Sequence, residues 1–151
     1  MPGSIIILVG TMTGTAEMVA DDVKPVLEGE GWPAEILDMD GLDAGVFQRP
    51  AVFLICTSTY GQGDVPDNAM ALFEDLNDSR PDLKGVRYGV IGLGDSTYSD
   101  TYNHGGERFD TVLSELGAQR IGERMVHNAS SDELPEEMAV EWAKSWVALL
   151  D

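Results

Sequence analysis

Three short segments hold the side chains best suited to gripping a ligand. Residues 10–16 read GTMTGTA, between an apolar run and a helical pattern. A helix start offers unpaired N–H groups and a partial positive charge, which together attract an anion. Thr11, Thr13 and Thr15 add hydroxyl donors, Gly14 lets the backbone approach closely, and Met12 has no side-chain donor, so it can offer only its N–H. This is the chemistry of a phosphate cup. A nucleoside-triphosphate loop needs Gly-Lys-Ser/Thr, where Gly14, Thr15 and Ala16 stand here. A dinucleotide fingerprint needs three spaced glycines, and only Gly10 and Gly14 are present. Taken alone, the segment serves equally well as plain helix capping.

Residues 57–68 read TSTYGQGDVPDN and residues 92–103 read GLGDSTYSDTYN. Each sets a tyrosine, Tyr60 or Tyr98, among small polar residues after an apolar run. Two such tyrosines suit a planar ring held between them, with stacking of about 1–3 kcal/mol per face. Singly, each reads as an ordinary amphipathic surface residue. None of the segments 10–16, 57–68 and 92–105 contains Lys or Arg. Neutral donors and a helix dipole must then hold any phosphate, which favours a monophosphate over a triphosphate with its metal. His104 and His127 have no paired ligand in sequence, which argues against a metal. Cys56, the single cysteine, ends an apolar run where packing as a small hydrophobe is the default.

The elements that must position these segments follow from periodicity. Residues 5–9 form an unbroken β-branched run, as in a strand covered on both faces. A helix is expected from Ala16 to about Leu27, with Val19, Val23, Val26 and Leu27 on one stripe, kinked or shortened by Pro25. Residues 33–39 read as an edge strand and 51–56 as a second buried strand, before a loop over 57–68. Residues 69–76 read as a helix that starts near Pro66 and Asp67 and presents Met70, Phe73 and Leu76. A strand over 87–93 leads into a loop to about Gly106, then a helix carrying Phe109, Val112, Leu113 and Leu116, closed by Gly117. Residues 118–126 form the fifth strand, and a last helix from about Leu134 aligns Met138, Trp142, Trp146, Val147 and Leu150. Five βα repeats mean a parallel sheet with helices on both faces. Ligands bind such sheets beyond the carboxyl ends of the strands, where strand order reverses. The loops after strands one, three and four are therefore the expected working face.

Charge narrows the partners. With 27 Asp and Glu against 9 Lys and Arg, the net charge is −18, which disfavours nucleic acid and anionic membranes. No apolar run is long enough to cross a bilayer, and the first residues lack a secretory pattern, so a cytoplasmic protein is expected. Its 151 residues suffice for one domain.

These motifs together resemble the flavodoxin family, specifically its short-chain members, and most closely the MioC-like flavodoxins. GTMTGTAE at 10–17 resembles the family's phosphate loop, TSTYGQGDVPDN its first ring-binding loop and GLGDSTY at 92–98 its second. The likeness runs through the whole chain to WAKSWVALL at 142–150, without the extra segment of long-chain members. It implies a single flavodoxin-like domain over 1–151, a three-layer α/β sandwich with a five-stranded parallel sheet in the order 2-1-3-4-5, and noncovalently bound FMN. By position, Thr11, Met12, Thr13, Gly14, Thr15 and Ala16 would hold the phosphate. Tyr60 and Tyr98 would cover the ring faces. Thr57, Ser58, Thr59, Gly61, Gly63, Leu93, Gly94, Asp95, Tyr102 and Asn103 would complete the site. Asp95 stands where related domains often carry asparagine. A receiver-type signalling domain shares the architecture but needs an acidic phospho-acceptor after the third strand, where Cys56, Thr57 and Ser58 stand.

The resemblance implies an electron carrier rather than an enzyme, moving mainly one electron at a time from an NADPH-dependent flavodoxin or ferredoxin reductase to acceptor enzymes. An accessory or regulatory FMN module without obligatory shuttling is the alternative. The resemblance also assigns Gly61 a peptide flip that lets its carbonyl accept a hydrogen bond from the ring's N5, which glycine permits at little steric cost. A monomer that meets basic reductase faces is expected, because acidic patches steer complementary surfaces together. The acidic surplus should also oppose addition of a second electron. A penalty of about 1.4 kcal/mol lowers a one-electron potential by about 59 mV. Raising ionic strength should therefore raise the second reduction potential of the bound flavin in a redox titration; a potential flat with salt would remove this explanation.

Overall fold

Apolar strands that lack polar alternation need a layer on each side, and the computed structural model supplies both. It describes residues 4–10, 15–49, 51–58, 67–94, 104–128 and 134–150. Strands β1 (Ser4–Gly10), β2 (Ala34–Asp38), β3 (Ala51–Ser58), β4 (Arg87–Gly94), β5 (Gln119–Arg120) and β6 (Met125–Asn128) make one parallel sheet. Its order is β2-β1-β3-β4-β5, with β6 also on β4. β5 and β6 are two segments of the fifth strand, so the order 2-1-3-4-5 holds. Helices α1 (Thr15–Gly29) and α4 (Pro135–Ala148) cover one face, and α2 (Asp67–Ser79) and α3 (His104–Glu115) the other.

Alternation along β1 and β3 divides the core into two halves. Ile5, Ile7, Val9, Leu54 and Cys56 meet α1 and α4, while Ile6, Leu8, Phe53 and Ile55 meet α2 and α3. Trp146 lies against the β4 backbone at Gly89, where an added Cβ would come within 2.5 Å of its Nε1. Trp142 stacks on Trp146 with ring centroids 5.4 Å apart.

Several expectations need correction. α1 runs through Pro25 to Gly29 rather than stopping near Leu27. Pro25 is on the exposed side of the helix, where water can take the carbonyl its ring leaves without a donor. The second connection carries a short 3-10 turn over Ala44–Gln48 rather than an α-helix, so among the described residues four α-helices serve five strands. Asp43 caps that turn by accepting from the Gly45 N–H at 2.9 Å, and Phe47 packs on Phe53. α2 extends to Ser79, and its innermost residues are Ala69, Leu72 and Leu76, with Met70 and Phe73 only partly buried. α3 begins at His104, inside the segment expected to be loop. The fifth strand, expected as one run over 118–126, is broken between β5 and β6.

Candidate functional site

The register of the central strands decides where the ligand segments emerge. Gly10 at the end of β1 is opposite Thr57 of β3, Thr57 is opposite Gly92 of β4, and Ser58 is opposite Leu93. Gly94 pairs with Asn128 at the end of β6. The carboxyl ends of β1, β3 and β4 thus adjoin on one edge, where strand order reverses between β1 and β3. That is where a parallel sheet binds its ligand.

Thr57 and Ser58 belong to β3 rather than to a loop, which corrects the strand end expected at Cys56. Thr57 is fully buried. Ala16 and Leu93 are also core residues, so only their backbone groups can face a ligand. Thr15 opens α1, whose first turn has amide groups that no helical carbonyl can satisfy. Gly94 is the last residue of β4. Thr11, Met12, Thr13, Gly14, Thr59, Tyr60, Gly61, Gly63, Asp95, Tyr98, Tyr102 and Asn103 are outside the described residues.

The structure adds two features to this edge. Gly10 packs so closely that an added Cβ would fall 2.9 Å from Ala69 Cβ and 3.0 Å from both Met39 Sδ and Thr57 Oγ1. The sequence counted Gly10 in the phosphate loop, whereas the structure makes it the last residue of β1. The carboxyl end of β6 also reaches this edge, which follows from strand five lying beside strand four. Cys56 does more than fill space: its thiol donates to the Ala16 carbonyl at 3.4 Å, joining the start of α1 to the end of β3. Burial pushes that thiol from its ordinary 9.0 up to about 12.

The donor set fits FMN. The floor is made of Gly10, Thr57, Gly92 and Gly94, small or hydroxyl-bearing, with the start of α1 beside it. The three segments that leave this edge carry hydroxyls, glycines and two tyrosines, with no cation. That set suits one phosphate and a flat ring, and it suits a triphosphate poorly. Among the described residues no cluster of His, Cys, Asp and Glu could hold a metal, and no helix is long and apolar enough to cross a membrane.

Comparison with known proteins agrees with this geometry. The Flavodoxin family profile matches residues 7–142. Flavodoxin YqcA of Escherichia coli (strain K12) is 39% identical over 144 residues, covering 95% of this chain and 96% of that protein. Protein MioC of the same organism is 36% identical over 146 residues, 97% of each. The solved structure of a cysteine-to-alanine mutant of flavodoxin from Pseudomonas aeruginosa superposes with a TM-score of 0.87 at 37% identity, covering 97% of this chain and 98% of that one.

Two outcomes test the floor. Gly10→Ala should lower stability by about 1–3 kcal/mol through overpacking. It should also weaken FMN binding in a fluorescence titration of the apoprotein, because the strand end that precedes residues 11–14 must shift. For Cys56 the native thiol stays protonated between pH 9.0 and about 12, while the unfolded chain gives up its proton. Stability should therefore fall across that window, and the thiol adds no pH dependence below it. Urea unfolding of wild type and Cys56→Ala should differ in slope with pH only there, and native protein at pH 8 should resist thiol reagents.

Proposed function

This chain belongs to the flavodoxin family, whose cofactor is FMN, and we propose that it works as a single-domain, monomeric, cytoplasmic shuttle. It takes low-potential electrons, mainly one at a time, from an NADPH-dependent reductase with a basic docking face and delivers them to acceptor enzymes. When bound, FMN supplies the redox chemistry, and the protein supplies binding, orientation and electrostatics. Residues 11–16 hold the phosphate with amide and hydroxyl donors. Tyr60 and Tyr98 cover the ring, and Thr57, Ser58, Thr59, Gly61, Gly63, Leu93, Gly94, Asp95, Tyr102 and Asn103 surround its edges. With FMN bound and its N5 protonated, the Gly61 carbonyl would accept from it, and Gly61→Val should hinder the peptide flip that presents that carbonyl.

The observation that carries this reading is the register of Gly10, Thr57 and Gly92, which delivers three cation-free segments to one edge. A phosphate held by neutral groups and a helix start leaves that edge acidic overall, with Asp64, Asp67, Asp95 and Asp100 in or beside the segments. Such an edge repels acidic surfaces and attracts basic ones, so docking brings the cofactor side forward.

The test combines colour with kinetics. Purified protein should be yellow and release FMN, not FAD, on denaturation. In stopped flow, an NADPH-dependent flavodoxin reductase should reduce it readily, with an association rate that falls as salt rises, and an acceptor should reoxidise it. Bound FMN without turnover would overturn the shuttle in favour of an accessory module, and absence of FMN would overturn both.

A further inference from the structure

The edge of the sheet beside β4 is interrupted, and a buried carboxylate spans the interruption. β5 ends with Arg120 opposite Tyr88, while β6 begins with Met125 opposite Ile91. Five steps along the edge strand therefore match three along β4, leaving two residues of excess in a bulge with Gly122 at φ +72°. A bulge of this kind uncouples one stretch of pairing from the next, so β5 cannot fix the register of β6. A slip of one residue would turn every β6 side chain to the opposite face.

Asp110 of α3 is the buried acid among the described residues, 9% exposed. Its Oδ2 accepts from Arg120 on one side of the bulge and, at 3.3 Å, from Arg124 on the other. Its Oδ1 accepts from the Tyr88 hydroxyl at 2.6 Å. The opposite helical layer holds the same bulge, where Trp142 Nε1 donates to the Glu123 carbonyl at 3.1 Å. Arg124 directly precedes β6, whose last residue, Asn128, pairs with Gly94. The carboxylate is thus linked through one arginine and one short strand to the carboxyl end of β4.

We propose that Asp110 is a positioning residue for the cofactor edge: by clamping Arg120 and Arg124 across the bulge, it sets the register of β6 and so fixes the backbone at Gly92 and Gly94. The proposal rests on the reading that FMN binds at that edge, but the clamp has consequences in the apoprotein too. Asp110 and Arg124 are charged and largely shielded from water, where loss of one member leaves the other poorly compensated.

The experiment uses wild type, Asp110→Asn, Arg124→Met and Tyr88→Phe. Amide hydrogen exchange of the apoproteins reads the clamp directly. Residues 125–128 should exchange faster in the first two variants, out of proportion to the change in β1. In Tyr88→Phe, which keeps both arginine contacts, they should not. FMN titration should then show about fivefold or greater weakening in Asp110→Asn, within the usual range of coupling between separated sites. Electrostatics alone predicts the opposite sign, because removing a negative charge should favour an anionic ligand. Unchanged or tighter FMN binding in Asp110→Asn, or uniform loss of protection across the sheet, overturns the proposal. If Asp110→Asn does not fold, Arg124→Met decides, since that side chain is 25% exposed. Its local exchange and FMN affinity must both change for the proposal to stand. Failure of wild type to bind FMN, with the exchange pattern intact, would instead overturn the functional reading.

Discussion

The arrangement depends on one constraint: β1, β3 and β4 are covered on both faces, so their pairing register cannot slip without exposing apolar surface. Ile5, Ile7, Leu54, Ile55, Val90 and Ile91 are fully buried, and each side chain already has its layer. A parallel ladder locked in this way brings all carboxyl ends to one side. Reversal of strand order between β1 and β3 then separates the helices above them and leaves a crevice. The position of the candidate site is therefore a by-product of core packing.

Within that edge, tolerances are small. Gly10, Ala69, Met39 and Thr57 meet where one added carbon would collide, and the Cys56 thiol joins the start of α1 to the end of β3. Apart from Met39, these contacts involve backbone or short side chains, which have little rotamer freedom to absorb a shift. By contrast the surface ion pairs, such as Lys24 with Glu28 at 3.5 Å and Arg49 with Glu35 at 3.0 Å, join half-exposed groups and hold little of the fold together. The acidic excess, −18 in all, is a field of longer range than any one of these pairs.

The fifth strand shows how an edge can differ from the centre. Central strands are registered by packing on two sides, whereas among the described residues β5 and β6 have only β4 as a neighbour. Side chains and helix contacts, rather than a continuous ladder, hold the break between them. Asp110 supplies this from one helical layer and Trp142 from the other.

Much of this was legible in the sequence. Unbroken apolar runs identified the central strands and helical spacing identified the covering helices, because both are local patterns. The family likeness supplied the cofactor. What local pattern could not decide was the outcome of competition between distant groups. Pro25 stays inside a helix because its face is exposed, and Thr57 becomes a buried strand residue because Gly10 and Gly92 lie on either side of it. The fifth strand breaks where the Asp110 carboxylate of α3 accepts from its two arginines and the Trp142 indole of α4 donates to its Glu123 carbonyl. The sequence by itself determined which residues want burial and which segments carry hydroxyls and glycines but no cation. Tertiary structure alone decided which backbone atoms stand side by side, because register and close approach are set by elements far apart in the chain.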